Sequence, residues 1–235
     1  MTVQFPPMPR LKRARIAAVM PILASPLARW QGWCRRLARQ GADLLVLTSG
    51  NDGLGAGVAL STLGLHRADD QPSSAPMTMD AALKQTRRVV DRCLVAATEP
   101  LSSSTLTDVV MLNDPAHVSD WPGRLAGAQI YDFEQAQLAI ELGCTFIVSD
   151  ANDSALTQQL AGWSRHGASP IWFVRGCRNS QHLRTLIHSG VRRVWVEPEP
   201  WKGLPNWDVQ LAAAWSTDQN LGDLAAINAL FAKEA

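Results

Sequence analysis

Apolar positions along this chain come in short runs separated by amphipathic stretches that end at glycine. The clearest example is the segment from Leu125 to Asp150, LAGAQIYDFEQAQLAIELGCTFIVSD, which reads as strand, helix, strand. Residues 125–130 are short, apolar and mostly small, as a strand covered on both faces requires. Asp132 is placed to cap the helix that follows, with Gln135 at the reciprocal position of a capping box. Phe133, Ala136, Ile140 and Gly143 share one helical face, and Gly143 stops the helix because glycine enters the left-handed conformation without a Cβ clash. Residues 144–148 are a continuous apolar run. Ser149 and Asp150 end it at the carboxyl end of the strand, where parallel α/β proteins place their chemistry.

The same unit recurs along the chain. Strands are predicted at about 15–23 (within 14–24), from Asp43 in DLLVLTS, and at 93–97, 108–112, 125–130, 144–148, 170–174 and 192–196. A helix opens at Pro26 with Leu27, Trp30, Cys34, Leu37 and Ala38 on one face, and others are predicted at 79–90, 154–166 and 180–189. Shorter pieces are an apolar segment at 58–63, a helical turn or two at 101–106 and a connection at 115–123. The polar stretch HRADDQPSSAPMT, 66–78, reads as a mobile insertion. ARQGADLLVLTS, AIELGCTFIVSD and IHSGVRRVWVEP repeat one order of helix end, glycine, strand and polar tip. Eight such strands predict a single-domain closed (β/α)8 TIM barrel over 1–235, with an open doubly wound sheet as the alternative. Residues 198–235 form a tryptophan-rich loop and closing helices, at 210–215 and 221–233.

Composition narrows the partners. The 235 residues carry a net charge of +1, which gives no reason to expect nucleic acid or an anionic membrane. The four cysteines, at 34, 93, 144 and 177, form no CxxC and lie in or beside apolar runs. A zinc site or disulfide framework is not expected, and a reducing cytoplasm fits. Arg10, Lys12, Arg13 and Arg15 precede IAAVMPILAS, but Pro21 breaks the apolar run. This segment reads as a first strand with a solvated basic flank, not a secretory signal. Nine tryptophans accompany one tyrosine. Trp201, Trp207 and Trp215 either pack the last helices or form the association surface of a homodimer.

The polar strand tips are the natural candidate site: Thr48, Ser49, Asn51, Asp52, Asn113, Asp114, Gln129, Tyr131, Asp150, Asn152, Arg175 and Glu197. In a closed barrel they converge on one end. The plainer reading is that Asn, Asp and Ser simply favour turns. No ligand spacing among Asp114, Asp150 and Glu197 demands a metal, so no metal site is assigned. His117 is a possible acid or base, or an exposed loop residue. Gly53, Gly55 and Gly57, ahead of the helix-like 58–63, offer backbone amides to an anion that Arg175 would also reach. No complete GxGxxG and no nucleophile elbow is present.

The blocks around GAQIYDFEQAQLAIELGCTFIVSD and TDVVMLNDPA resemble the thiamin phosphate synthase and thiazole tautomerase superfamily. Gly127, Phe133, Glu134, Ala136, Leu142 and Gly143 keep the frame of its G-x-S-x-H-S-x-E-E-A…L-G motif. The resemblance implies a (β/α)8 barrel, with magnesium as cofactor only if synthase-like chemistry survives. Its chemistry-bearing positions differ here. Val46, Thr48 and Gly50 stand where synthases carry Q-x-R-x-K, and the acidic metal motif falls near Ala96, Ala97 and Thr98. Met111, Asn113 and Asp114 replace the strand-four histidine, glycine and glutamine, while Gln129 and Tyr131 replace the strand-five serine and histidine. The tautomerase histidine falls near Ala151, the phosphate-binding Gly-Gly becomes Arg175-Gly176, and the strand-eight loop becomes Glu197-Pro198. Diphosphate ionisation needs cations and a metal to stabilise the departing charge. The expectation is therefore a barrel that has lost synthase chemistry and binds a small-molecule ligand or a protein partner. The alternatives are an enzyme of the superfamily with altered chemistry on a small phosphorylated or heteroaromatic substrate, or an active synthase.

Overall fold

A computed structural model describes residues 7–22, 27–48, 77–98, 106–164, 170–197 and 206–218. Eight parallel strands close in chain order: β1 (Ile16–Pro21), β2 (Leu44–Thr48), β3 (Leu94–Thr98), β4 (Val109–Leu112), β5 (Leu125–Gln129), β6 (Phe146–Asp150), β7 (Ile171–Arg175) and β8 (Val194–Val196), with β8 pairing back onto β1. The described helices are α1 (Pro7–Arg13), α2 (Leu27–Arg39), α3 (Met79–Val89), α4 (Phe133–Glu141), α5 (Ser154–Ser164), α6 (Ser180–His188) and α7 (206–218). The predicted closed barrel is thus the observed one.

Alternation along the strands separates two cores. Ala17, Val19, Leu44, Val46, Leu94, Ala96, Val109, Met111, Val148 and three aromatic side chains fill the interior. The intervening residues, such as Ala18, Leu45, Val110, Ile147 and Trp172, pack outward against the helices. Bulk inside the barrel is unevenly shared. Phe146, Phe173 and Trp195 come from three successive strands, with ring centroids 5.8 and 6.3 Å apart in edge-to-face contacts. Beside them, Gly127 on β5 pairs in register with Phe146 on β6. A Cβ on Gly127 would lie 2.0 Å from the Phe146 ring.

The amino-terminal end is sewn together by repeated devices. Asp43 Oδ2 accepts the backbone N–H of Arg15 and Ile16, at 2.8 and 3.2 Å. Asp108 repeats this one strand pair on, accepting from Val95 N–H at 2.9 Å and pairing with Arg87 at 2.6 Å. Gly41, Gly143 and Gly190 all take φ near +100°, which is why the three echoed segments each carry glycine between helix and strand.

Two expectations change at the chain ends. The basic flank is not a solvated tail. It forms α1, whose Leu11 is fully buried against the lower interior while Arg10, Lys12 and Arg13 lie in its last turn. The closing helix begins ahead of residue 210, within 206–218, and it packs on its own barrel. Trp207 is 1% exposed and donates to Ser180 Oγ at 3.1 Å. Trp215 donates to the Arg192 carbonyl at 3.0 Å, with the Arg193 guanidinium 4.9 Å over its ring. Trp207 is therefore intrachain packing and has no surface to give a second copy. The predicted pieces at 58–63, 101–105 and 221–233, the 66–76 part of the insertion, and Trp201 lie outside the described residues.

Candidate functional site at the barrel mouth

The alternation that fills the interior also decides which polar residues face the carboxyl-end mouth. Continuing the inward positions of each strand by two residues reaches Thr48 on β2, Thr98 on β3, Gln129 on β5, Asp150 on β6 and Arg175 on β7. The same step from Trp195 reaches Glu197, just past β8. Thr48 and Thr98 are each 1% exposed.

Several candidates meet. Arg175 donates from Nη1 to Gln129 Oε1 at 2.9 Å and holds Nε 3.7 Å from Asp150 Oδ2. Asp150 Oδ1 in turn accepts from the backbone and the side-chain amide of Asn152, both at 2.8 Å, and Asn152 Oδ1 accepts from Arg178 at 3.3 Å. Glu197 stands beside Arg175. Burial pushes its carboxyl up to about 7, and the attraction of Arg175 only partly offsets that. One Glu197 oxygen, Oε2, is shut away from solvent with no hydrogen-bond partner.

Four other candidates sit at exposed positions. Asp114 caps the short 3-10 helix Pro115–Asp120, accepting from Ala116 N–H at 2.9 Å, and both it and Asn113 are exposed. Tyr131 is 67% exposed at the start of α4; its backbone N–H donates to Gln135 Oε1 at 2.9 Å. The capping box is therefore real, with Asp132 accepting from Gln135 N–H at 2.7 Å, but the glutamine reaches one residue further back than expected. His117 is exposed within the 3-10 helix. Ser49, Asn51, Asp52, Gly53, Gly55 and Gly57 lie outside the described residues. Among the described residues, no group of three His, Cys, Asp or Glu is arranged to hold a metal.

All four cysteines are buried free thiols, raised to about 11 or 12 by burial, so none is poised as a nucleophile. A depression of about 390 Å³ lies away from the mouth, on the outside of α2, lined by Gly32, Arg35, Arg36, Arg39 and Gln40. Among the described residues, no helix is long and apolar enough to cross a membrane.

Reading the sequence by polar tips missed Thr98 and Trp195. The signal was available for Trp195: it lies two residues before Glu197 on the same face of a strand.

No family model matches the sequence, and no curated protein matches it. Solved structures do. Thiamine phosphate pyrophosphorylase from Pyrococcus furiosus is 11% identical, with a TM-score of 0.59 over 87% of this chain and 98% of that one. A native KDPGal structure is 12% identical, with a TM-score of 0.57 over 86% and 96%. N-acetylmannosamine-6-phosphate 2-epimerase from Clostridium perfringens is 12% identical, with a TM-score of 0.54 over 88% and 95%. At these identities the likeness is one of fold, and it makes this chain a (β/α)8 barrel of the TIM type.

Proposed function

We propose that this barrel holds a small polar molecule at its carboxyl-end mouth and carries no thiamin phosphate synthase chemistry. The observation that supports it is the charge balance of the inner tier. Arg175 is its guanidinium, and Gln129 and Asp150 already engage it. A second carboxyl, Glu197, stands beside it. On β2, Thr48 occupies one of the two places where the resemblance would put a basic residue, and Gly50, at the other, lies outside the described residues. On β3, Ala96, Ala97 and Thr98 occupy the places of the acidic metal motif. A diphosphate brought to such a tier meets two acids for one committed cation, and the stabilisation of its departure is lost. A neutral or singly charged molecule meets donors and acceptors at little electrostatic cost.

The test supplies thiazole phosphate, hydroxymethylpyrimidine diphosphate and magnesium to the full chain, and titrates the pyrimidine with and without its diphosphate by tryptophan fluorescence. The expected result is no thiamin phosphate above background and tighter binding of the uncharged pyrimidine. Turnover, or tighter binding of the diphosphate, overturns the proposal.

A further inference from the structure

Three buried polar atoms in one sector of the mouth have no hydrogen-bond partner among the described residues: Thr48 Oγ1, Trp195 Nε1 and Glu197 Oε2. Thr48 is 1% exposed and Trp195 is fully buried. They are close in the sheet. Trp195 pairs in register with Ala17 on β1 and Arg175 on β7, and β1 pairs with β2 up to the register of Pro21 with Thr48. A buried polar group without a partner is costly, and here three such groups lie on neighbouring strands of one sector. The described residues supply nothing for them, and a ligand would.

Their chemistry describes the ligand. The indole N–H only donates, the threonine hydroxyl can donate, and the guanidinium commits Nη1 to Gln129 while its Nη2 makes no hydrogen bond among the described residues. These three call for an acceptor with a single negative charge. Glu197 stands beside Arg175. On the strands around it, the charged groups are Arg175 of β7 and Asp150 of β6, while β1 gives uncharged Val19 and Pro21 and β2 gives uncharged Thr48. In its neutral form Glu197 donates an O–H to an anion, whereas ionised it repels one. A dianionic phosphate would face Asp150 and draw on the same single guanidinium.

We propose that the Thr48–Trp195–Glu197 sector of the mouth binds a small monocarboxylate, which is taken up together with a proton on Glu197. The proposal rests on the mouth being a ligand site and names the class of ligand. The proton comes from solvent and resides on Glu197, and its O–H donates to the bound carboxylate. Because the free carboxyl titrates at about 7, binding is strong below that pH and weakens as pH rises through it.

Calorimetric titration of the full chain with pyruvate, and separately with inorganic phosphate, in two buffers of different ionisation enthalpy tests this. Pyruvate affinity is expected to fall about tenfold per pH unit above about pH 7, with close to one proton taken up. Glu197→Gln, which keeps a neutral donor, is expected to bind pyruvate with no pH dependence and no proton uptake. Thr48→Val is expected to weaken binding severalfold and leave the pH slope unchanged. Thermal melts of both variants confirm folding. Pyruvate binding weaker than about 10 mM at about pH 6 overturns the proposal. So does an unchanged pH slope in Glu197→Gln, or phosphate binding more tightly than pyruvate. Failure here with the uncharged pyrimidine still bound removes only the carboxylate assignment. Turnover to thiamin phosphate removes the wider reading.

Discussion

Gly127 and Phe146 face each other across the β5–β6 register, and the phenyl ring occupies the place where any side chain at 127 would begin. The glycine is set by its neighbour's bulk, since its backbone lies in ordinary strand conformation. Gly127→Ala is expected to destabilise the fold by about 3 kcal/mol, the upper range for an overpacked core. Phe146→Leu in the same chain should recover part of that loss, a coupling of about 1 kcal/mol or more. Denaturant melts of the two single variants and the double variant measure it. Strictly additive losses would show that the ring has room to move aside.

Glu197 predicts how stability depends on pH. Its carboxyl rises from 4.5 to about 7 on folding, so between those values the folded state holds a proton that the unfolded state has released. Stability from this group is therefore greatest below about pH 4.5 and falls until about pH 7. The loss is on the order of 3 kcal/mol. Burial raises Asp43 in the same sense, starting from 3.8, so the informative quantity is the difference between wild type and Glu197→Gln. That difference should widen from about pH 4.5 to about pH 7 and then level off. A constant difference would place Glu197 in water.

Trp207→Ala should lower stability by about 3–5 kcal/mol, as expected for removing a buried tryptophan. It should leave the sedimentation profile at that of the wild type. A shift in oligomeric state would return the residue to an interface.

Arg87→Met should cost about 2 kcal/mol, because Asp108 keeps the Val95 N–H but loses its cation. Both side chains are partly exposed, so the loss stays below that of a fully buried pair. Equal stability in melts would mean that solvent replaces the guanidinium there.

Fold and site were legible in the sequence to different depths. The barrel could be read because each unit carries its own local signals: the Asp132 cap, the Gly143 stop, and a run such as FIVSD with one polar end. The start of the chain could not. Leu11 among arginines has no period of its own, and only the open base of a barrel gives α1 something to cover. At the mouth, Gln129, Asp150, Asn152 and Arg175 were found because polar strand tips converge in any closed barrel. Asp114 and Tyr131 were selected by the same rule but are held by a cap and a helix start, which are local choices that the rule ignores. Trp195 reads in the sequence as core, and that its N–H has no partner among the described residues shows only when its neighbours are known.

The aromatic floor of Phe146, Phe173 and Trp195 also bears on how such a protein can change over time. Structural integrity is carried by the tiers below, where the three rings pack edge to face and Phe146 fills the space left by Gly127. In the tier above, Arg175 is held, among the described residues, by a hydrogen bond and an ion pair. Exchanges at the rim should therefore be tolerated far more readily than exchanges one layer down. A lineage could re-specify what its mouth accepts many times over while keeping the same barrel.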